Sequence, residues 1–133
     1  MANALYPKFK ELLLSGGINM INDTIKVMLM KTFYVYNSTH QFVSAVSAYE
    51  NGRSVALTGK SITNGVFDAN DISIIATSNS QVNAIILYKD TGNDGSSPLI
   101  AYIDNVAGIP FTPASGGVVQ IIWDNGAYKI FSL

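Results

Sequence analysis

Side chains able to perform acid–base, nucleophilic or metal chemistry are few and scattered in this sequence. It contains no cysteine, one histidine (His40) and only two glutamates, Glu11 and Glu50. Nucleophilic catalysis needs a nucleophile, a base and a group that orients the base. His40 lies in a Ser-Thr-His-Gln run outside any such motif, and we interpret it as a structural residue. The sequence therefore predicts a protein that is not an enzyme and uses no cofactor.

The loop that begins at Asp90 starts like a calcium-binding loop, with oxygen-bearing side chains at its first and fifth positions and Gly95 at its sixth. An EF-hand needs a bidentate glutamate at the twelfth position and helices on both sides. Here the twelfth residue is Ala101 and strands are predicted on both sides, so we interpret the segment as a hairpin loop. A second oxygen-rich group, Asp68 to Asp71, is better explained by a β-turn. We expect no metal site.

The composition excludes several classes of protein. Charged residues make up 13% of the chain, about half the usual share of roughly 25%. The formal net charge of −1 argues against non-specific nucleic-acid binding, which needs clustered lysines and arginines. No apolar run is long enough to cross a membrane. With 48% hydrophobic residues and a mean hydropathy of +0.25, we expect other subunits to cover part of the surface.

Residues 5–15 are predicted to form the one long helix of a single domain that spans residues 1–133. Leu5, Phe9 and Leu12 recur at helical spacing. Pro7 suits the first turn, and Gly16 supplies a permissive position at the end of the helix. A helix this short needs a docking partner to persist, which could be the domain itself or another protein.

The rest of the chain, from about residue 24 to residue 133, reads as strands and turns. Residues 24–31 have two fairly apolar faces and are predicted to form a central strand, and residues 82–89 the most deeply buried one. Residues 82–104 are predicted to form a hairpin, and Asn125-Gly126 a second hairpin between residues 118–123 and 127–133. Further strands are expected at 32–38, at 53–57 and as a pair within 61–75, and a helical turn at 41–48. We therefore predict a mainly β domain, an antiparallel β-sandwich or jelly roll with one short N-terminal helix.

Several segments resemble, in the same order, a family of small virion structural proteins of tailed bacteriophages. The resemblance covers nearly the whole chain, apart from residues 35–38 and 44–50. It rests on the following segments: ANALYPKFKELLLSGGI, DTIKVMLMKT, HQF at 40–42, ALTGKSITNGVFDANDISI, ILYKDTG, LIAYID and WDNGAYKIFSL.

This resemblance implies a capsid decoration or cement protein. Such a protein would bind the outer surface of the major capsid protein shell, bridge capsomers and stabilise the head against DNA pressure. It would be made in the host bacterial cytoplasm, which suits a chain without cysteines, and reside on the virion as a homo-oligomer, a trimer being favoured. Candidate interface residues fall in the N-terminal helix, an aromatic segment and a later loop, and each is equally explained by core packing. They are Leu5, Phe9, Leu12, Phe33, Tyr34, Tyr36, Ile109 and Phe111.

Two other kinds of protein remain open at this point. One is a phage tail, baseplate or head-fibre component, which would also be rich in strands and oligomeric. The other is a carbohydrate-binding surface module, because seven tyrosines and one tryptophan could stack on sugar rings. Exposed and coplanar tyrosine and tryptophan side chains would favour the second alternative.

Overall fold

A computed structural model describes residues 3–104, 109–123 and 129–133 of the chain. The described residues form one α-helix, α1 (Pro7–Ser15), two 3-10 helices (Val43–Ala45 and Ser47–Tyr49) and ten strands. The strands are β1 (Ala4–Leu5), β2 (Ile25–Lys31), β3 (Glu50–Arg53), β4 (Ser61–Thr63), β5 (Val66–Asp68), β6 (Ile72–Ile75), β7 (Val82–Lys89), β8 (Leu99–Ile103), β9 (Val118–Ile121) and β10 (Phe131–Ser132). The prediction of a mainly β, antiparallel domain with one short N-terminal helix is confirmed.

A five-stranded antiparallel sheet in the order β1-β8-β7-β2-β3 forms the centre of the molecule. β2 and β7 pair along their whole length, from Ile25 opposite Lys89 to Lys31 opposite Val82. Residues of both side-chain faces are buried in these two strands. This explains why neither strand alternates between apolar and polar residues, and it confirms the central position expected for residues 24–31.

Two smaller antiparallel sheets complete a sandwich-like arrangement, one in the order β10-β5-β4 and one that pairs β6 with β9. Asn51 joins the segment that follows β6 to the central sheet, because its side-chain oxygen accepts a hydrogen bond from the Ser78 backbone N–H at 2.8 Å. The adjacent Gly52 has φ +118° and lies so close to β6 that an added Cβ would stand 2.4 Å from the Ile75 carbonyl oxygen. The sequence Asn51-Gly52 thus permits a close approach of two backbones.

Helix α1 packs against the domain through Phe9, which is fully buried and meets the Phe131 ring edge-on at 6.0 Å. Pro7 occupies its first turn, and Gly16, at φ +81°, ends it with a backbone hydrogen bond to the carbonyl group of Leu13. The chemistry of both ends is that expected from the sequence.

The predicted strand at residues 32–38 is wrong, and the strand predicted at 53–57 is found at Glu50–Arg53 instead. Residues 32–38 have no partner strand, and the Tyr34 N–H instead forms a turn with the Lys31 carbonyl group at 3.0 Å. Residues 54–57 do run beside β2, since the N–H groups of Ser54 and Leu57 bond to β2 carbonyl oxygens. The Ser54 hydroxyl accepts a hydrogen bond from the Val27 N–H at 2.9 Å, and this bond interrupts the regular ladder there.

The predicted hairpin between residues 118–123 and 127–133 is also wrong. β9 pairs with β6, and β10 pairs with β5; the Asn125-Gly126 turn itself lies outside the described residues. A tight hairpin forms instead at Asn64-Gly65, where both residues have positive φ, +52° and +77°. These angles are those of a type I′ turn, whose twist matches that of the strands it joins.

Candidate interaction surfaces

The candidate interface residues of the sequence analysis differ widely in exposure. Phe9 is fully buried and Tyr34 is 3% exposed, so both side chains belong to the core and cannot meet a partner in this structure. Phe33 is 77% exposed. The others are half-buried against the core: Leu5, Leu12, Tyr36, Ile109 and Phe111.

Ile109 and Phe111 lie in a loop that contacts the central sheet. Phe111 is bridged to the start of β7 by two backbone hydrogen bonds with Val82, of 2.8 and 3.0 Å. The structure therefore joins this loop to the start of β7.

A cluster of aromatic rings surrounds Tyr34. Its hydroxyl group is hydrogen-bonded to the Tyr6 hydroxyl at 2.7 Å and to His40 Nδ1 at 3.0 Å. Tyr102 of β8 and Tyr49 lie with their ring centres 5.9 and 5.8 Å from that of Tyr34. These contacts hold residues 32–40 on the domain without a partner strand, and they support the structural role expected for His40.

The protons of this cluster can be placed so that each hydroxyl has a partner. We assign the Tyr6 hydroxyl as donor to Tyr34, and the Tyr34 hydroxyl as donor to an unprotonated Nδ1 of His40. Burial, followed by the hydrogen bond to Tyr34, raises the pKa of Tyr6 far above its ordinary value. Burial also raises the pKa of Tyr34. Both tyrosines are therefore neutral at physiological pH.

The calcium-like loop is occupied by ion pairs. Arg53 binds both Asp94 oxygens at 2.8 Å and also Glu50 at 2.6 Å. Asp90 is paired with Lys26 at 2.6 Å. These hydrogen bonds lower the pKa of both aspartates. Within the described ranges, no three acidic, histidine or cysteine side chains are grouped to hold a metal ion.

One face of the β6–β9 ribbon is exposed and carries no charge. We call this the ribbon face; it consists of Ser73 and Ile75 from β6 and Val118 and Gln120 from β9. Ile75 and Val118 lie directly opposite each other and are 62% and 71% exposed. The other side of the ribbon, which includes Ile74, packs inward. The ribbon face is thus an exposed apolar pair, Ile75 and Val118, with the polar pair of Ser73 and Gln120 beside it.

A small apolar pocket of about 60 Å³ lies between α1 and the β10-β5-β4 sheet. Ile62, Phe67 and Phe131 stand side by side across the three strands and form its floor. The Phe67 and Phe131 rings are stacked at 5.4 Å. Exposure rises towards the open edge of the sheet, where Ile62 is 52% exposed. Phe9, Leu13 and Met20 complete the opposite wall.

Sequence reasoning missed both the ribbon face and the pocket. The alternation of residues 118–123 was available as a signal, because Val118, Gln120 and Ile122 fall on one side of a strand. It did not reveal which side is exposed, since the partner strand β6 lies over 40 residues earlier in the chain. The pocket depends on contacts between α1 and β10, at opposite ends of the chain.

No protein-family model, no curated protein and no solved structure matches this chain. Among the described residues, no helix is long and apolar enough to cross a membrane.

Proposed function

We propose that this protein is a capsid decoration, or cement, protein of a tailed bacteriophage. It binds the outer surface of the major capsid protein shell, bridges capsomers and stabilises the head against DNA pressure. The proposal rests on the resemblance of nearly the whole sequence to small virion structural proteins and on the ribbon face, which is the observation that carries it.

The ribbon face suits docking on a protein surface. Ile75 and Val118 form an exposed cross-strand pair of β-branched side chains, and such pairs bury well against another apolar surface. Ser73 and Gln120, the polar members of the face, can hydrogen-bond at its margin. Each contact is small, but many copies on one shell act at high effective concentration. This activity needs no catalytic group.

A carbohydrate-binding module receives less support. The sole tryptophan, Trp123, is 6% exposed, and its indole N–H donates to the Asn70 carbonyl group at 3.0 Å. The Tyr34 and Tyr49 rings are tilted by 51° to each other. Stacking on a sugar ring requires an exposed and flat aromatic surface, which these rings do not form.

Cryo-electron microscopy of the particle whose genome encodes this chain tests the proposal. We expect density for this fold in many symmetric copies on the outside of the shell, with the ribbon face against the major capsid protein. Density at the tail or baseplate alone, or its absence from the particle, would contradict the proposal.

A binding experiment tests the role of the ribbon face. Purified protein is added to particles that lack it, and bound copies are counted by quantitative gel analysis. We expect Val118→Lys to reduce binding at least tenfold, because it places a charge within the contact. The matched control is Val55→Lys, since Val55 is equally exposed at 73% and lies outside the ribbon. Equal binding by both variants would show that the ribbon face does not contact the shell.

A further inference from the structure

Among the described residues, no strand pairs with the outer edge of β4, and this edge carries no charge. β4 is the last strand of the β10-β5-β4 sheet, and its residues Ser61, Ile62 and Thr63 are all exposed. Natural proteins protect such edges with charges, prolines or covering segments, because the free N–H and C=O groups can pair with another strand. β4 carries neither a charge nor a proline.

Both edges of the five-stranded sheet are protected in this way. β3 carries the ion pair of Glu50 and Arg53, and β1 is approached by the Tyr36 hydroxyl, 3.5 Å from the Leu5 carbonyl oxygen. Lys60, immediately before β4, could have protected the β4 edge. Its ammonium group instead turns back and donates to the backbone carbonyl group of Asp23, so its charge is drawn away from the strand.

The backbone of Ile62 is directed towards the open edge. Thr63 and Val66 are paired across the two-residue Asn64-Gly65 turn, and the residues that flank such a turn form its hydrogen-bonded pair. In an antiparallel ladder hydrogen-bonded and non-hydrogen-bonded pairs alternate, so Ile62 does not exchange hydrogen bonds with Phe67 opposite it. The Ile62 N–H and C=O therefore face outward and are available to a new strand.

We propose that β4 pairs with β4 of a second copy of this chain, antiparallel and about a two-fold axis at Ile62. Ile62 would then exchange two backbone hydrogen bonds with its symmetry mate, and Ser61 would lie opposite Thr63. The residue pattern favours this occupant because the strand is self-complementary on both faces. On one face the apolar row of Phe131, Phe67 and Ile62 continues into the same row of the partner. On the other face, the two hydroxyl residues meet.

Charge also permits the pairing. In an isologous contact the same surface patch of both copies meets, so each charged residue faces a residue of its own neighbourhood in the other copy. Here Lys60 would lie opposite the neutral Asn64. β9 is a second uncharged strand, but the same two-fold arrangement there would set Val118 beside Gln120 and mix apolar with polar residues. A three-residue contact buries far less than the roughly 800 Å² per partner of a stable interface. Pairing through β4 is therefore weak in dilute solution and strengthened where copies are concentrated.

Disulfide cross-linking of isolated protein tests the pairing, and the absence of cysteine from the sequence makes each introduced thiol unambiguous. The Ser61→Cys and Thr63→Cys variants carry different tags. Each variant is oxidised alone, and a mixture of the two is oxidised as a third sample. We expect a covalent dimer in the mixture, because the two positions are directly opposed, about 4.5–5.5 Å apart. Each variant alone should form no covalent dimer, because its own symmetry mate lies beyond the roughly 7 Å limit for a disulfide.

Equal cross-linking in all three samples would reveal random collisions and overturn the proposal, and so would no cross-linking in any of them at high protein concentration. As a second measurement, sedimentation should show weak dimers for the natural protein that are lost in Ile62→Lys and retained in Val55→Lys. A trimer in the natural protein would also overturn the two-fold pairing. Because these measurements use isolated protein, their outcome does not depend on where the protein lies in a particle.

Discussion

The hydroxyl groups of Tyr6 and Tyr34 are hydrogen-bonded to each other at 2.7 Å in the interior of the protein. Tyr6 directly follows β1, and Tyr34 lies in the irregular segment after β2, so this bond joins two parts of the chain that share no backbone ladder. His40 extends the bond into a chain of polar groups. An interior polar group is costly unless it has a partner. The hydrogen bonds between Tyr6, Tyr34 and His40 therefore also specify where residues 32–40 lie.

The first prediction concerns Tyr34→Phe. The variant leaves the fully buried Tyr6 hydroxyl without its acceptor, and we expect it to lower the free energy of unfolding by about 1–3 kcal/mol. Urea unfolding followed by fluorescence measures the change. Tyr49→Phe is the control, because Tyr49 is 37% exposed and touches Tyr34 only through its ring. A loss as large in the control would assign the effect to removal of any tyrosine hydroxyl and not to the bond between Tyr6 and Tyr34.

The second prediction is that stability falls steeply above pH 10. Burial raises the pKa of Tyr88 and of Tyr102 to about 12. In the unfolded chain both groups ionise near pH 10, so between pH 10 and about 12 the folded state retains protons that the unfolded state releases. Each tyrosine then removes about 1.4 kcal/mol of stability per pH unit, and below pH 10 this stabilisation is fully present.

Urea unfolding at pH 8, 10 and 11 measures this dependence, and Tyr102→Phe isolates one group. The variant should lose stability less steeply than the natural protein above pH 10. Parallel curves for the two proteins would exclude Tyr102 as a source of the alkaline instability.

The sequence predicted those elements that local signals define. The run 82–89 was predicted with the bounds of β7, because a continuous apolar segment ends there in turn-forming residues. Pro7 and Gly16 likewise mark the ends of α1. Where the outcome depended on distant partners, prediction failed: Asn125-Gly126 has strong turn chemistry, yet the strands on either side of it pair with β6 and β5.

The exposure of the candidate interface residues depends on distant contacts in the same way. Phe33 and Tyr34 are adjacent aromatic residues, but one is exposed and the other is buried. Tyr34 is hydrogen-bonded to the Tyr6 hydroxyl, 28 residues away in sequence. The composition predicted an excess of apolar surface. The position of exposed apolar residues on the β6–β9 ribbon follows instead from the long-range pairing of β6 with β9.

The third prediction concerns the approach of β3 to β6. Gly52→Ala should be strongly destabilising, because the residue has φ +118° and its new Cβ would overlap the Ile75 carbonyl oxygen. Gly92→Ala is the matched control: Gly92 also has positive φ, +88°, but a Cβ there meets nothing within 4 Å. Thermal unfolding should show a loss for Gly52→Ala that exceeds the control by about 1–3 kcal/mol, the usual cost of overpacking. Similar losses would mean that backbone strain alone matters at Gly52.

The fourth prediction is that the ion pair of Arg53 and Asp94 stabilises the loop at residues 90–98 only above acidic pH. The two hydrogen bonds from Arg53 hold the pKa of Asp94 below its ordinary value of 3.8. The stabilisation is therefore present above pH 3.8 and lost as the pH falls through the depressed pKa.

Since Asp94 is 42% exposed, we expect Asp94→Asn to cost about 1 kcal/mol at pH 7. Glu11→Gln, which breaks the exposed pair with Lys8, should cost less than about 0.5 kcal/mol. Urea unfolding at pH 7 and pH 2.5 should show a larger difference between natural protein and Asp94→Asn at the higher pH than at the lower. An equal difference at both pH values would assign the loss to packing of the loop and not to the charge on Asp94.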